Sequence, residues 1–229
     1  MSIARCSVAA GLRRCLPMVL VVAAACGKDT GPAGDAPPPA PPPGVYAGTY
    51  PCDGCPGIDV ALWLRDDGTF LLEQRYRAAA ESAPPPSPPS HALGNWNWRA
   101  DVEVLELSSG GPERVFDREG DALIQRTSSS AEHRLDRDPA RVRIDASLWL
   151  RGTIRQAGDG YRFRECRTSL EAPVAAGGEY RRFHNQYRNI VLGTEASIVL
   201  IGHFDWGPDG APVSLTIDQF VTLRDAPGC

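Results

Sequence analysis

The stretch VALWLRDDGTFLLEQRYR, residues 60–77, decides the fold. Val60, Leu62 and Leu64 alternate with Ala61, Trp63 and Arg65, the period of two that sends successive side chains to opposite faces of a strand. Asp66, Asp67 and Gly68 supply turn chemistry, Asp by bonding to nearby backbone and Gly by accepting a positive φ. Thr69 to Arg77 returns with Phe70 and Leu72, so the unit is a β-hairpin. Beyond it, strands are predicted at 96–99, 102–107, 114–116 and 122–126, separated by Gly, Ser or charged residues. Short, regular spacing between turns favours an antiparallel meander closing into a barrel. The proline run at 83–90, APPPSPPS, carries no apolar side chain to bury and is expected to be an exposed loop insertion between strands of that barrel.

The segment LDRDPARVR at 135–143 is charged and contains Pro139, which places a boundary there. A second β-rich unit follows. Leu148, Leu150 and Ile154 alternate with Trp149, Arg151 and Arg155, and Tyr161 and Phe163 lead into Cys166. Tyr180, Phe183 and Tyr187, at spacings of three and four, predict one short amphipathic helix over 178–188. An apolar strand is expected at 196–204, then a turn at 207–210, then alternation through Val213, Leu215 and Ile217. The phase slips before Phe220, which predicts a β-bulge near Asp218 and Gln219.

Outward in the other direction, residues 1–25 combine Arg5, Arg13 and Arg14 with an apolar run from Leu16 to Val22 and the small residues Ala23, Ala24 and Ala25. That is the layout of an export signal, too short for a membrane-spanning helix. Cys26 follows at once, and the junction resembles the bacterial lipobox, which implies a lipid thioether on Cys26. Gly27 at the next position resembles sorted lipoproteins destined for the outer membrane and facing the periplasm. Residues 26–44 are proline-rich and form a tether. The expected organisation is a signal peptide over 1–25, a tether over 26–44, a barrel domain over 45–138 and a C-terminal β-rich domain over 144–229.

The chain has 229 residues, 24 basic and 28 acidic. Removal of Arg5, Arg13 and Arg14 leaves 21 bases against 28 acids and a net charge of −7. An acidic chain without a basic run argues against nucleic acid as a partner. Of seven cysteines, Cys6 and Cys15 leave with the signal and Cys26 takes the lipid. Cys52, Cys55, Cys166 and Cys229 remain, an even set that reads as disulfides in an exported protein, with three connectivities open. The turn Cys52-Asp53-Gly54-Cys55 is short enough to close on itself. Cys166 and Cys229 are expected to pair and tie the chain end to the strand before Cys166.

Residues 46–77, YAGTYPCDGCPGIDVALWLRDDGTFLLEQRYR, resemble the N-terminal domain of the copper-resistance lipoprotein family NlpE. The resemblance rests on the Tyr-x-Gly-Thr opening, the Pro-Cys-x-x-Cys-x-Gly-Ile turn and the hairpin ending at Tyr76, and it continues through Gly94-Asn95-Trp96 to Leu135-Asp136. It implies a small lipocalin-like β-barrel on a non-enzymatic envelope lipoprotein that serves copper tolerance or surface and envelope-stress signalling. The second unit, with Cys166 and the terminal Cys229, is similar to oligosaccharide-binding-like domains attached to such lipoproteins. A signalling protein of the envelope is the implied partner, besides the membrane itself, and the chain is expected to be a monomer.

Cys52 and Cys55 carry the only local chemistry. Two thiolates can hold a soft ion such as Cu(I), yet they fill half of a tetrahedral site and no neighbouring His or Cys completes it. A redox-active pair would sit at a helix start in a βαβ context, and Pro51, Pro56 and Gly57 among strands do not supply one. The expected state is a local disulfide with no resident cofactor; the rival readings are direct Cu(I) binding and thiol–disulfide exchange. His91, His133, His184 and His203 are scattered without ligand spacing. His203 and Asp205 flank Phe204 on one strand face and read as a solvated face before an ion site. Trp96 and Trp98 share a face and read as barrel core or rim, with a cavity wall as the sharper alternative. Nucleophile elbow, phosphate loop and zinc-helix motifs are all missing from the sequence, so no enzymatic reading is supported. Mass spectrometry of the membrane fraction is expected to find a diacylglycerol thioether on Cys26; an unmodified Cys26, or a mature end elsewhere, would sink the anchor.

Overall fold

The computed structural model describes residues 39–80, 87–128, 131–226 and 228–229. The expected signal peptide, Cys26, most of the tether and residues 83–86 of the proline run lie outside the described residues. Eight strands close into an antiparallel meander barrel: β1 (Gly44–Tyr50), β2 (Ile58–Leu64), β3 (Thr69–Tyr76), β4 (Ser90–Arg99), β5 (Val104–Ser108), β6 (Arg114–Glu119), β7 (Ala122–Gln125) and β8 (Arg134–Arg137). The predicted hairpin is β2 and β3, paired from Ile58↔Tyr76 to Leu64↔Phe70. β8 returns to β1 through Tyr46↔Arg137 and Ala47↔Asp136, which removes both free edges.

Tyr-x-Gly-Thr explains the seam. Tyr46 is fully buried in the barrel core and donates its hydroxyl to the Pro42 carbonyl at 2.7 Å. Gly48 faces β8 so closely that a Cβ there would strike the Arg134 carbonyl oxygen. The interior is filled by Val60, Leu62, Leu64, Phe70, Leu105, Phe116 and Leu123, with Trp96 and Trp98 packed against them. The structure corrects several spans. β4 begins at Ser90 rather than at Trp96, and Val102 is an exposed turn residue rather than part of β5. β8 occupies the first part of the charged segment that reads as a boundary, because its outward residues are charged and only Leu135 points in.

The second unit is a five-stranded sheet in the order β11-β10-β9-β12-β13, built from β9 (Leu148–Ala157), β10 (Gly160–Glu165), β11 (Glu171–Pro173), β12 (Glu195–Trp206) and β13 (Pro212–Arg224). The helix α1 (Tyr180–Ile190) connects β11 to β12 and starts two residues after the predicted position. A parallel bridge between Val174 and Leu215 joins the β11 end to β13. This meander of three, helix, then hairpin of two, with the outer strands drawn together, is the oligosaccharide-binding-like arrangement, a partly open five-stranded barrel. Between β12 and β13 the register shifts at Ile201/Gly202 and skips Asp218, as the phase slip predicts. Two further shifts, at Val199/Leu200 and Asp205/Trp206, were not legible in the sequence.

Barrel and sheet share a core. Residues 37–229 form one compact unit. Val45, Ala61, Trp63, Leu71 and Leu93, all on the outer face of the barrel, join the cluster of Leu148, Leu150, Phe204, Trp206 and Leu215. β2 and β3 are therefore buried on both faces, and the alternation in 60–72 separates two cores rather than a core from water. At the junction Arg65 has only 4% of its side chain exposed. Its guanidinium lies 4.2 Å from the Trp206 ring centroid and 5.5 Å from that of Trp63, and the two indoles meet edge to face at 5.3 Å. It donates to Thr69 Oγ1 at 2.6 Å and to the Gly210 carbonyl at 2.7 Å, and pairs with Asp67 at 2.9 Å. Desolvation pulls its pKa down, and Asp67 and Asp66 oppose that pull.

A shared core makes unfolding cooperative. A single transition by near-UV and far-UV dichroism is expected, and Trp206→Ala should lower stability by about 3–5 kcal/mol, the usual cost of an aromatic cavity. Two separate transitions in the parent would show that barrel and sheet fold independently.

Candidate functional site

The Cys52–Cys55 loop joins β1 to β2 at one end of the barrel. The structure holds the two cysteines in a disulfide, with Cα atoms 5.4 Å apart. Gly54 has φ +80° and Gly57 φ +141°, conformations that L side chains rarely adopt. Gly57 also packs against the Thr49 methyl, and its carbonyl accepts the Arg77 amide at 2.9 Å. Below the loop, Thr49 donates to Asp59 at 3.0 Å while Arg77 bonds Asp59 at 2.8 Å and Thr49 at 2.9 Å. The loop is therefore fixed at its base, while Asp53 and Gly54 at its tip are exposed and the cysteines half-buried.

Inside that end of the barrel, Tyr50 packs edge to face on His133 at 4.6 Å, and its buried hydroxyl has no protein hydrogen-bond partner. Burial pushes the Tyr50 pKa well up, and the nearby Arg114 guanidinium opposes the shift. Arg114 itself donates to Gln74 at 3.1 Å. No group of three or more His, Cys, Asp or Glu able to hold a metal exists among the described residues.

Cys166 and Cys229 are joined across 63 positions, with Cα atoms again 5.4 Å apart. Next to Cys166, buried Glu165 accepts from the Arg167 amide, the Thr168 amide and the Thr168 hydroxyl at 2.6–2.8 Å, which shapes the turn that presents the cysteine. The chain end is clamped where β10 finishes.

The histidines do not assemble. His203 does not pair with Asp205; it bonds Asp218 at 2.9 Å across the bulge, and Asp205 takes the Ser214 hydroxyl. Ser147 also bonds Asp218, so the order is serine to carboxylate to imidazole. A nucleophile needs its hydroxyl on the imidazole, and this cluster holds the bulge instead. His184 stacks on Tyr180 and bonds the Tyr161 hydroxyl at 2.9 Å, fastening α1 to β10. His91 lies 3.5 Å from Glu73, which Arg141 also approaches at 3.4 Å. Trp96 packs against the barrel core and donates its indole N–H to the Arg65 carbonyl at 3.0 Å, which braces the β2–β3 turn. Arg65, Trp63 and Trp206, the junction residues, escaped the sequence reading; the signal was the unbroken apolar run on both faces of 60–64.

An eight-stranded barrel and an oligosaccharide-binding-like sheet, each carrying one disulfide, define the class: disulfide-bonded, two-part β proteins. Residues 46–133 match the NlpE N-terminal domain. Lipoprotein NlpE of Escherichia coli strain K12 is 30% identical over 178 residues, covering 73% of each chain. The 17 kDa lipoprotein of Treponema pallidum strain Nichols is 34% identical over 87 residues, covering 37% of this chain and 53% of that one. The crystal structure of the Cpx pathway activator NlpE from Escherichia coli aligns over 81% of this chain and 97% of that chain at 23% identity, with a TM-score of 0.33. The chain belongs to the NlpE family of lipoproteins.

In the chain-entropy view, closing the loop of 63 positions restrains the unfolded chain by about 4 kcal/mol and the short loop by about 2 kcal/mol. Denaturant titration should therefore find Cys166→Ser with Cys229→Ser the costlier pair, and Cys52→Ser with Cys55→Ser the cheaper. Equal losses would contradict this ranking.

Proposed function

We propose that this lipoprotein is a non-enzymatic reporter of envelope stress that signals to a partner of the kind its Escherichia coli relative activates. The observation that carries this reading is the reach of the likeness to Lipoprotein NlpE. Its 178 aligned residues exceed the 137 that lead up to the end of the barrel, so the likeness reaches into the second unit. In the same reading the protein is a monomer, anchored through Cys26 at the outer membrane and facing the periplasm, and nucleic acid is not a partner of so acidic a chain.

Copper tolerance is the finer part of the proposal. Disulfide sulfurs lack the thiolate charge that binds soft metals, so Cu(I) chelation by Cys52 and Cys55 requires prior reduction. The exposed tip of the loop admits a reductant and an ion. Thiol–disulfide exchange is the weaker alternative, because a strand-to-strand turn lacks the helix N-terminus that lowers a cysteine pKa.

Two measurements test these readings. In Escherichia coli lacking its own NlpE, overproduction of the chain is expected to raise Cpx reporter output severalfold; an unchanged reporter with the protein present in the envelope would defeat the signalling role. Anaerobic Cu(I) titration should find binding by the reduced protein, none by the oxidised protein, and none by Cys52→Ser with Cys55→Ser. Tight stoichiometric binding by the protein as isolated would make the metal site its main function.

A further inference from the structure

Residues 139–229 carry eleven arginines and ten acids, against nine arginines and sixteen acids in 44–138. The arginines of the second unit are not spread evenly. Strand register puts five of them on the outer face of one sheet. Arg162 lies opposite Arg155, and Arg155 opposite Glu195; Arg164 lies opposite Thr153, and Ser197 opposite Arg224; Arg151 lies opposite Val199. The alternating buried residues, Leu150, Ile154, Phe163, Ile198 and Leu200, fix which face this is. Directly opposed like charges destabilise a strand pair, and Arg155 and Arg162 are such a pair. Glu171 approaches Arg162 and Arg164 at 3.9 Å, while Arg151, Arg155 and Arg224 make no ion pair among the described residues.

At the other end of the same face, Trp149 stands opposite Ile201, with 66% of its surface exposed. Val199 and Ile201 beside it are half-buried. Between the two zones lies a shallow concavity of about 250 Å³ edged by Arg151, Val199, Thr222 and Arg224. Cations thus stand on three of four adjacent strands, β9, β10 and β13, spread in two dimensions and bordering an exposed indole. An extended acidic peptide would follow one line of charge, whereas a plane of anionic headgroups engages all five arginines at once. Arginine stems and tryptophan both suit the boundary between headgroups and acyl chains.

We propose that this face of the β9, β10, β12 and β13 sheet is a docking surface for an anionic phospholipid membrane, independent of any lipid on Cys26. Each arginine near such a surface strengthens binding severalfold. The net negative charge of the rest of the chain opposes the attraction, so contact is reversible and salt-sensitive.

The test uses residues 27–229, which lack Cys26 and contain the whole compact unit 37–229. Co-sedimentation is measured with vesicles of equimolar phosphatidylglycerol and phosphatidylcholine and with vesicles of phosphatidylcholine alone. Binding is expected to the anionic vesicles only, to fall by about a hundredfold in the triple variant Arg151→Gln, Arg155→Gln, Arg224→Gln, and to disappear in high salt. Replacing the three by Lys should restore it, because the surface reads charge rather than guanidinium geometry. On anionic vesicles the parent's tryptophan emission should shift blue, and Trp149→Phe should abolish the shift. Equal binding to both vesicle types would overturn the proposal, as would full binding by the Gln variant. Capture of the protein by a polyglutamate peptide, with no vesicle binding, would reassign the face to an acidic protein segment.

Discussion

A guanidinium held out of water between two indoles joins the two halves of this molecule. Burying an arginine is costly unless its charge and donors are met. Arg65 meets that condition at both terminal nitrogens, through partners drawn from both sides: Asp67 and Thr69 from its own turn, Gly210 from the far hairpin, and the rings of Trp63 and Trp206; only its buried Nε has no hydrogen-bond partner among the described residues. Separating barrel from sheet would remove Trp206 and Gly210 together and strand the charge beside its own turn. The apolar cluster shared by Leu71, Leu93, Leu148 and Phe204 would be exposed in the same event. The junction therefore ties the position of the sheet to that of the barrel.

The two disulfides act over different ranges on that frame. One closes a four-residue turn at the barrel end, where Arg77, Asp59 and Thr49 already fix the backbone. The other anchors the chain terminus at the end of β10 and encloses the helix, the bulged hairpin and their register shifts. A tie of that length restrains the whole sheet unit, whereas the short one affects only a loop. Chemistry at the short loop can change without disturbing the barrel. Loss of the long tie would be felt through β12 and β13, the strands that carry Trp206 and Gly210 to the junction.

Several polar clusters that invite catalytic or metal readings have packing roles instead. Asp218, displaced from the ladder by the bulge, takes Ser147 and His203 and so holds the β13 kink in place. His184 and the tyrosines around it fasten α1 to the sheet. What remains without such a role is the arginine-rich outer face, where cross-strand register sets Arg155 against Arg162 and five arginines meet only two acids, Glu171 and Glu195. Charge distribution along the sequence conceals this, because neighbouring Arg162 and Arg164 are separated from Arg151 and Arg155 by a turn and meet them only through pairing.

The sequence alone determined most of the strands, the β2–β3 hairpin, the short helix and the bulge, since each follows from local rules: period two, turn residues, period 3.6 and a phase slip; β1, β8 and β11 were not among its strands. It also singled out Cys52-Asp53-Gly54-Cys55 as a turn able to close on itself. The weak strands escaped it. β8 has one buried residue among charges, and it forms because Leu135 completes the barrel core and its backbone closes on β1. The burial of Arg65, the crossed pairing of His203 with Asp218 and the five-arginine face were decided only by tertiary structure. Periodicity tells which side chains share a face, but not what covers that face. A second sheet laid over β2 and β3 turned what a single strand would show to water into a second core.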